Sequence, residues 1–206
     1  MFGRQVLRAA CRHAAAWNVG QELTLSVNLS AVQLAGDELV DTVREALADS
    51  GLDPARLVLE ITETVLTDDV PAARRRLTAL RAVGIRIGLD DFGTGYSSLG
   101  YLQHIPVDIV KIDRAFVTEV HLGPRQSALA ATVMTLARSL ELDVVAEGIE
   151  LPEQAEQLRS LGCRLAPGFL YSPAVPAEKL SALLDNQRSA FAGGQEFAFR
   201  DLSPHS

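Results

Sequence analysis

The chain has 206 residues, 48 % hydrophobic and 22 % charged, a composition that suits one globular domain with a sizeable core and excludes a disordered chain. Its formal net charge is −7, and no long run of Lys and Arg marks a surface for duplex nucleic acid. No apolar stretch reaches the length of a membrane span and no secretory core opens the sequence, so a cytoplasmic protein without a membrane partner is expected.

The first element reads as a helix, because Val6, Leu7, Ala10, Cys11, Ala14 and Trp17 keep the three-to-four spacing of one buried face. Leu23–Val27 follows as an apolar strand that ends on Asn28. Leu39, Val40, Val43 and Leu47 mark a second helix, and Leu57–Ile61 a second strand. Ala73, Leu77, Leu80 and Val83 mark the next helix, with Asp69 as cap, Pro71 in the first turn and Gly84 as stop. Ile85–Leu89 and Ile109–Ile112 read as strands. Leu129, Val133, Leu136 and Leu140 give a further helical face. Val144–Ala146 is a fifth strand, Pro152 to Leu161 a helix closed by Gly162, and Gly168–Tyr171 a sixth strand. A last helix is expected from Pro176 to Leu184.

Most of these strands are apolar on both faces, as parallel strands covered by helices are. They begin about 24 to 35 residues apart, the size of a βα unit. Alternation of this kind predicts a parallel sheet with crossover helices. From Arg188 to Ser206 the chain loses its periodicity, and a poorly ordered tail is expected there. Cys11 and Cys163 stand in no paired motif and are read as core residues in a reducing compartment. The four histidines are scattered and receive no role.

Chemistry-bearing residues recur where the apolar runs end. The first run ends at Asn28. The second carries Glu60, with Glu63 beyond it. The third ends at Asp90-Asp91, the fourth carries Lys111 and Asp113, and the fifth ends at Glu147, with Glu150 beyond. In a parallel sheet these positions share the carboxyl edge, where such folds bind ligands. Carboxylates gathered in a low-dielectric pocket repel one another, and a hard divalent cation with oxygen ligands removes the conflict. Asn28 would add a neutral carbonyl oxygen, and Lys111 a positive charge for a phosphate oxygen or a hydroxide. The glycine- and hydroxyl-rich run from Gly93 to Ser98 would let backbone approach a phosphate. Asp91-Phe92-Gly93 spells the magnesium tripeptide of protein kinases, but the kinase glycine loop, strand lysine and catalytic loop do not precede it.

Taken together, Ser26-Val27-Asn28-Leu29-Ser30, Glu60-Ile61-Thr62-Glu63, Asp90 through Leu99, Val110-Lys111-Ile112-Asp113 and Val145-Ala146-Glu147-Gly148-Ile149-Glu150 resemble, in order and spacing, the EAL domain family of cyclic-di-GMP phosphodiesterases. The resemblance covers roughly residues 3 to 185. It implies an α/β fold of the TIM-like (β/α) barrel type, hydrolysis of cyclic-di-GMP to linear pGpG, and a two-metal site holding Mg²⁺ or Mn²⁺. It further implies Asn28, Glu60, Asp90 and Glu147 as metal ligands and Asp91 as a residue beside the metals and the nucleophilic water. Lys111 would orient that water, Glu63 would secure the loop from Asp90 to Ser98, and Glu150 would lie near the substrate guanine. Metal ions in such a site bind water and phosphate and stabilise in-line displacement.

Two departures from the family pattern shape the expectations. The signature Glu-Ala-Leu lies upstream of the Asn28 motif in the family, with a metal-ligand glutamate. Here Glu45-Ala46-Leu47 spells it only inside a predicted helix. Pro167 stands where the family carries a glutamine near the catalytic water, and Ser172-Pro173 lacks a basic residue common there. The expected fold is therefore an incomplete barrel of about six parallel strands with flanking helices over residues 1–187, without its first two strands and with a weakened metal site, followed by the tail 188–206. Two functional readings stay open: a phosphodiesterase impaired or inactive in this chain, and a degenerate module that binds cyclic-di-GMP or a protein partner, a second copy included, without turnover.

Overall fold

Apolar runs too short for helices and amphipathic runs too long for strands build one alternating α/β unit. The computed structural model describes residues 2–17, 23–66, 69–92, 104–163, 175–177 and 179–180. In chain order its main elements are α1 (Phe2–Ala16), β1 (Leu25–Asn28), α2 (Ala31–Ala35), α3 (Leu39–Ser50), β2 (Leu57–Thr62), α4 (Val70–Arg81), β3 (Arg86–Phe92), β4 (Ile109–Ile112), α5 (Arg114–Val117), α6 (Pro124–Ser139), β5 (Asp143–Ala146) and α7 (Pro152–Ser160). The strands form one five-stranded sheet in the order β1-β2-β3-β4-β5, and every neighbouring pair is parallel. Five of the expected strands therefore lie among the described residues. The sixth, at 168–171, lies outside them, as do Pro167, most of the helix expected from Pro176, and the tail from 188.

The sheet has two unlike faces. Leu57, Leu59, Ile61, Ile87, Leu89 and Val110 belong to one buried cluster with Leu7, Cys11 and Ala14 of α1, Val43 of α3, and Leu77 and Leu80 of α4. Ile112, Val144 and Ala146 form a second with Met134 of α6 and Leu158 of α7. The register sets Asn28 beside Glu60, Glu60 beside Gly88 and Gly88 beside Ile109, so these residues share the other face, which carries polar groups.

That polar face is concave. Arg86 Nη2 donates to Thr24 Oγ1 at 3.0 Å, beside β1, while its Nη1 stands 3.5 Å from Asp143 Oδ2 at the start of β5. In a flat sheet β1 and β5 would be about 19 Å apart, four spacings of about 4.8 Å. One guanidinium reaches both only because the sheet curls around it. Parallel strands in sequence order, helices outside and a curled polar face inside make this the wall of a TIM-like barrel.

Local signals act as expected at α4. Asp69 accepts from Ala72 N at 2.9 Å, Pro71 lies in the first turn, and Gly84 follows the helix at φ 99°. Glu45-Ala46-Leu47 lies within α3, and Glu45 pairs with Arg8 of α1 at 2.7 Å, so the tripeptide is helical and remote from the strand ends. Cys11 and Cys163 are both buried, as core residues are, and Cys163 Sγ donates to Val144 O at 3.5 Å.

The face predicted for α6 is corrected. Ser127, Ala130, Met134 and Ala137 are its buried residues, whereas Leu129 is 60 % exposed. Small side chains let the helix approach the sheet closely, and Val133 and Leu136 pack at the border of that contact. Leucine spacing alone could not register this, because the small-residue stripe repeats with the same period.

Candidate functional site

Each strand end delivers its polar residue through a local feature of the chain. After β1, Ser30 caps α2 in a reciprocal box: Gln33 N donates to Ser30 Oγ at 3.3 Å and Ser30 N to Gln33 Oε1 at 3.0 Å. This fixes the exit of Asn28, which is exposed and lines a cavity of about 530 Å³ between β1, α1, α2 and α3. Glu60, one strand over, is buried.

At the end of β3 the ladder slips. Leu89 pairs with Val110 but Phe92 with Ile112, so three residues of β3 advance against two of β4. Such a bulge re-aims side chains at a strand end. Asp91 takes the strain, at φ 55°, a conformation that aspartate tolerates better than most residues. Its N–H donates to Asp90 Oδ1 at 3.0 Å. Burial, then the charges of Asp90 and Asp113, push the Asp91 carboxyl above its ordinary value, against a smaller opposite pull from Lys111.

Lys111 is the centre of the arrangement. Only 7 % exposed, it extends from β4 across the concave face. Its Nζ donates to Glu60 Oε2 at 2.8 Å, lies 3.3 Å from Asp90 Oδ1, and pairs with Glu147 Oε1 at the end of β5. Burial alone would drive the ammonium down. Hydrogen bonds to Glu147 and Glu60, with the charges of Glu60 and Asp90, outweigh it and hold Lys111 above the ordinary lysine value.

Gly88 of β3 lies where the Val58 and Glu60 side chains of β2 approach the backbone closely, a feature not expected from the sequence. A Cβ built there would meet Val58 Cγ1 at 3.2 Å and Glu60 Cγ at 3.4 Å. The signal was a glycine inside an otherwise apolar strand, which often marks a close approach. Gly88→Ala is expected to be tolerated after a shift of a few tenths of an ångström. Gly88→Leu should displace Glu60 and lower stability by about 1–3 kcal/mol. Urea titration of the two variants distinguishes these outcomes.

The remaining predicted residues separate. Asp113 accepts from Ala115 N at 2.8 Å and so caps α5. Glu150 is exposed and pairs with Arg114 at 2.8 Å. Glu63 is buried at the start of the 3₁₀ turn Glu63–Leu66, and of the loop from Asp90 to Ser98 that it was expected to secure, the part after Phe92 lies outside the described residues.

Among the described residues, no three His, Cys, Asp or Glu side chains are grouped as a metal site in this arrangement; Glu60, Asp90 and Glu147 converge on the ammonium instead. The donor set nevertheless fits a hard divalent cation. Three carboxylates against one ammonium leave an excess negative charge, and Asn28, which carries an amide oxygen, is the strand partner of Glu60. The smaller cavity, about 290 Å³ between α5 and α6, is lined by Phe116, Arg125 and Leu129 and lies away from the strand ends.

Comparison with known proteins agrees with this fold. The family model of the EAL domain matches residues 1–174. The chain is 43 % identical to the bifunctional diguanylate cyclase/cyclic di-GMP phosphodiesterase MucR of Pseudomonas aeruginosa over 183 residues, 88 % of this chain and 27 % of that protein. A solved structure of the MucR phosphodiesterase in complex with c-di-GMP superposes with a TM-score of 0.80, covering 87 % of this chain and 73 % of that one. The EAL domain of Mycobacterium smegmatis DcpA gives 0.85 at 40 % identity, covering 90 % and 85 %. Klebsiella pneumoniae BlrP1, in a complex with manganese and cyclic di-GMP, gives 0.76 at 32 % identity, covering 84 % and 44 %. The chain spans 22 to 30 % of the length of the first curated relatives it matches. No helix among the described residues is long and apolar enough to cross a membrane.

Proposed function

Because the chain belongs to the EAL domain family, we propose that it hydrolyses one phosphodiester bond of cyclic-di-GMP at the strand ends, giving linear pGpG, with two Mg²⁺ or Mn²⁺ ions. The observation that carries this reading is the convergence of Glu60, Asp90 and Glu147 on the buried Lys111. Relatives solved with manganese or calcium and cyclic di-GMP add support.

Asn28, Glu60, Asp90 and Glu147 would hold the ions, all through hard oxygen donors. Bound divalent ions supply Lewis acidity and lower the pKa of a water at neutral pH. The Lys111 ammonium has three N–H donors and can hold a water or phosphate oxygen by a charge-assisted bond. Asp91, re-aimed by the bulge, would lie beside the attacking water. Glu150 at the rim can accept from the N–H groups of a guanine edge, and Glu63 would steady the loop that follows Phe92.

Turnover is expected to be slow. Pro167 occupies the position of the family's glutamine near the catalytic water, and proline brings neither an amide side chain nor an N–H. Pro167→Gln should raise kcat by about tenfold, the size of effect seen when a positioning group is restored.

The decisive measurement is conversion of cyclic-di-GMP to pGpG by the purified chain with Mn²⁺, beside calorimetric binding with Ca²⁺. Product formation abolished by EDTA is the expected result. A folded protein that binds cyclic-di-GMP but forms no pGpG would replace the enzyme by a binding module.

A further inference from the structure

The turn that carries Glu147 away from β5 is held by contacts the chemistry above does not use. Glu147 N donates to Ile112 O at 3.0 Å, the last rung beside β4. Gly148 follows at φ 67°. A Cβ there would stand 2.7 Å from Arg114 Cγ and 2.9 Å from Arg114 Cβ, so the Arg114 side chain lies directly against this backbone. Its Nη2 then reaches Glu150 Oε1 at 2.8 Å.

The opposite end of α5 is tied to the same turn. Gln154 Nε2 donates to the Thr118 carbonyl, which follows α5, at 3.0 Å. The Oε1 of the same side chain accepts from Glu150 N at 2.8 Å and from Leu151 N at 3.0 Å. Gln154 is 3 % exposed. Packing alone would favour an apolar side chain here, since its neighbours Ala155 and Leu158 belong to the core. Capping α7 requires only an acceptor for its first N–H groups. The bond to Thr118 O does neither job; it joins α5 to the turn.

We propose that Gln154 and Arg114 are positioning residues, which fasten the two ends of α5 to the turn 147–151 and thereby hold the Glu147 carboxylate against the Lys111 ammonium. Neither side chain touches the reacting groups in this scheme, and its kinetic consequence rests on the proposed phosphodiesterase reading.

The test uses the full chain with Gln154→Leu, Gln154→Glu and Arg114→Ala. Three readouts are followed: amide exchange at Glu150 and Leu151, the proton–nitrogen resonance of the Lys111 ammonium, and kcat and KM for cyclic-di-GMP with Mn²⁺. In Gln154→Leu, both amides should exchange faster while those of β4 hold, and the Lys111 resonance should shift or broaden. The value of kcat should fall about tenfold, with KM within about twofold of wild type. Gln154→Glu keeps the acceptor for both N–H groups but loses the donor to Thr118 O, so it should cap α7 and still show the loss of rate seen in Gln154→Leu. Faster exchange with an unmoved Lys111 resonance would overturn the proposal, because the turn would then be held without positioning anything. Should Gln154→Leu fail to fold, the exposed Arg114→Ala variant carries the same readouts and decides the matter. Absence of hydrolysis in the wild type would defeat the phosphodiesterase reading alone, since the resonance and exchange measurements need no turnover.

Discussion

Lys111→Met is expected to destabilise the metal-free protein more than any surface substitution, and added Mn²⁺ is expected to recover part of the loss. Methionine keeps most of the unbranched stem, so packing changes little. What disappears is the only positive charge that contacts Glu60, Asp90 and Glu147 together among the described residues. Glu60 and Asp90 have side chains only 7 % and 14 % exposed, so water compensates them poorly. Removing one partner from such a buried set costs on the order of 3 kcal/mol. Glu147, at 34 %, is better solvated and contributes less.

A divalent cation should substitute for the missing ammonium, because it supplies charge to the same oxygens. Urea midpoints measured in EDTA and in Mn²⁺ read this directly. An equal loss in both conditions would mean that these carboxylates do not form a cation site. The wild-type contribution does not titrate away near neutrality. While its carboxylate partners stay ionised, a lysine held above its ordinary value keeps its stabilisation up to about pH 10.4 and loses it on rising through the folded value.

Much of this geometry was legible in the sequence, for definite reasons. Short apolar runs between amphipathic ones located β1, β2, β4 and β5 to within two residues, and missed the end of β3 by three. A parallel sheet also sends every strand's carboxyl end to one edge, which is why Asn28, Glu60, Asp90, Lys111 and Glu147 could be grouped before any contact was known. The bulge was not legible, because the extra residue between Leu89 and Phe92 is defined only against β4. Nor was the central place of Lys111, since only the structure shows which strand-end carboxylates reach its ammonium. Asp113 does share the acidic edge, where its charge acts on Asp91, but its second role as the cap of α5 shows only once Ala115 N is placed beside it. Gln154 carried no signal of its own: a single amide in an amphipathic helix reads as surface until the carbonyl of Thr118 is found opposite it.

Glu60→Gln should abolish hydrolysis while leaving the fold intact, and the contrast with Lys111→Met is what makes it informative. The amide keeps the shape of the carboxylate and can still accept from Lys111 Nζ, now at 2.8 Å from Glu60 Oε2. The ammonium also retains Asp90 and Glu147. Stability should therefore change little. Rate should not be spared, since a neutral oxygen is a poor ligand for a divalent ion in a site that depends on charge. A loss on the order of a thousandfold in kcat/KM is expected, comparable to deleting one directly acting group from a preorganised site.

Glu45→Gln provides the matching control, because Glu45 opens the only Glu-Ala-Leu in the chain yet forms surface pairs with Arg8 and Arg4. Its loss should change stability by no more than about 0.5 kcal/mol and leave the rate unaltered. Cyclic-di-GMP hydrolysis at saturating Mn²⁺, with thermal unfolding as the check on folding, separates the two variants. Full activity in Glu60→Gln would move the metal site away from the β2 end. Lost activity in Glu45→Gln would show that the helical tripeptide has a part in the chemistry, against its distance from the strand ends.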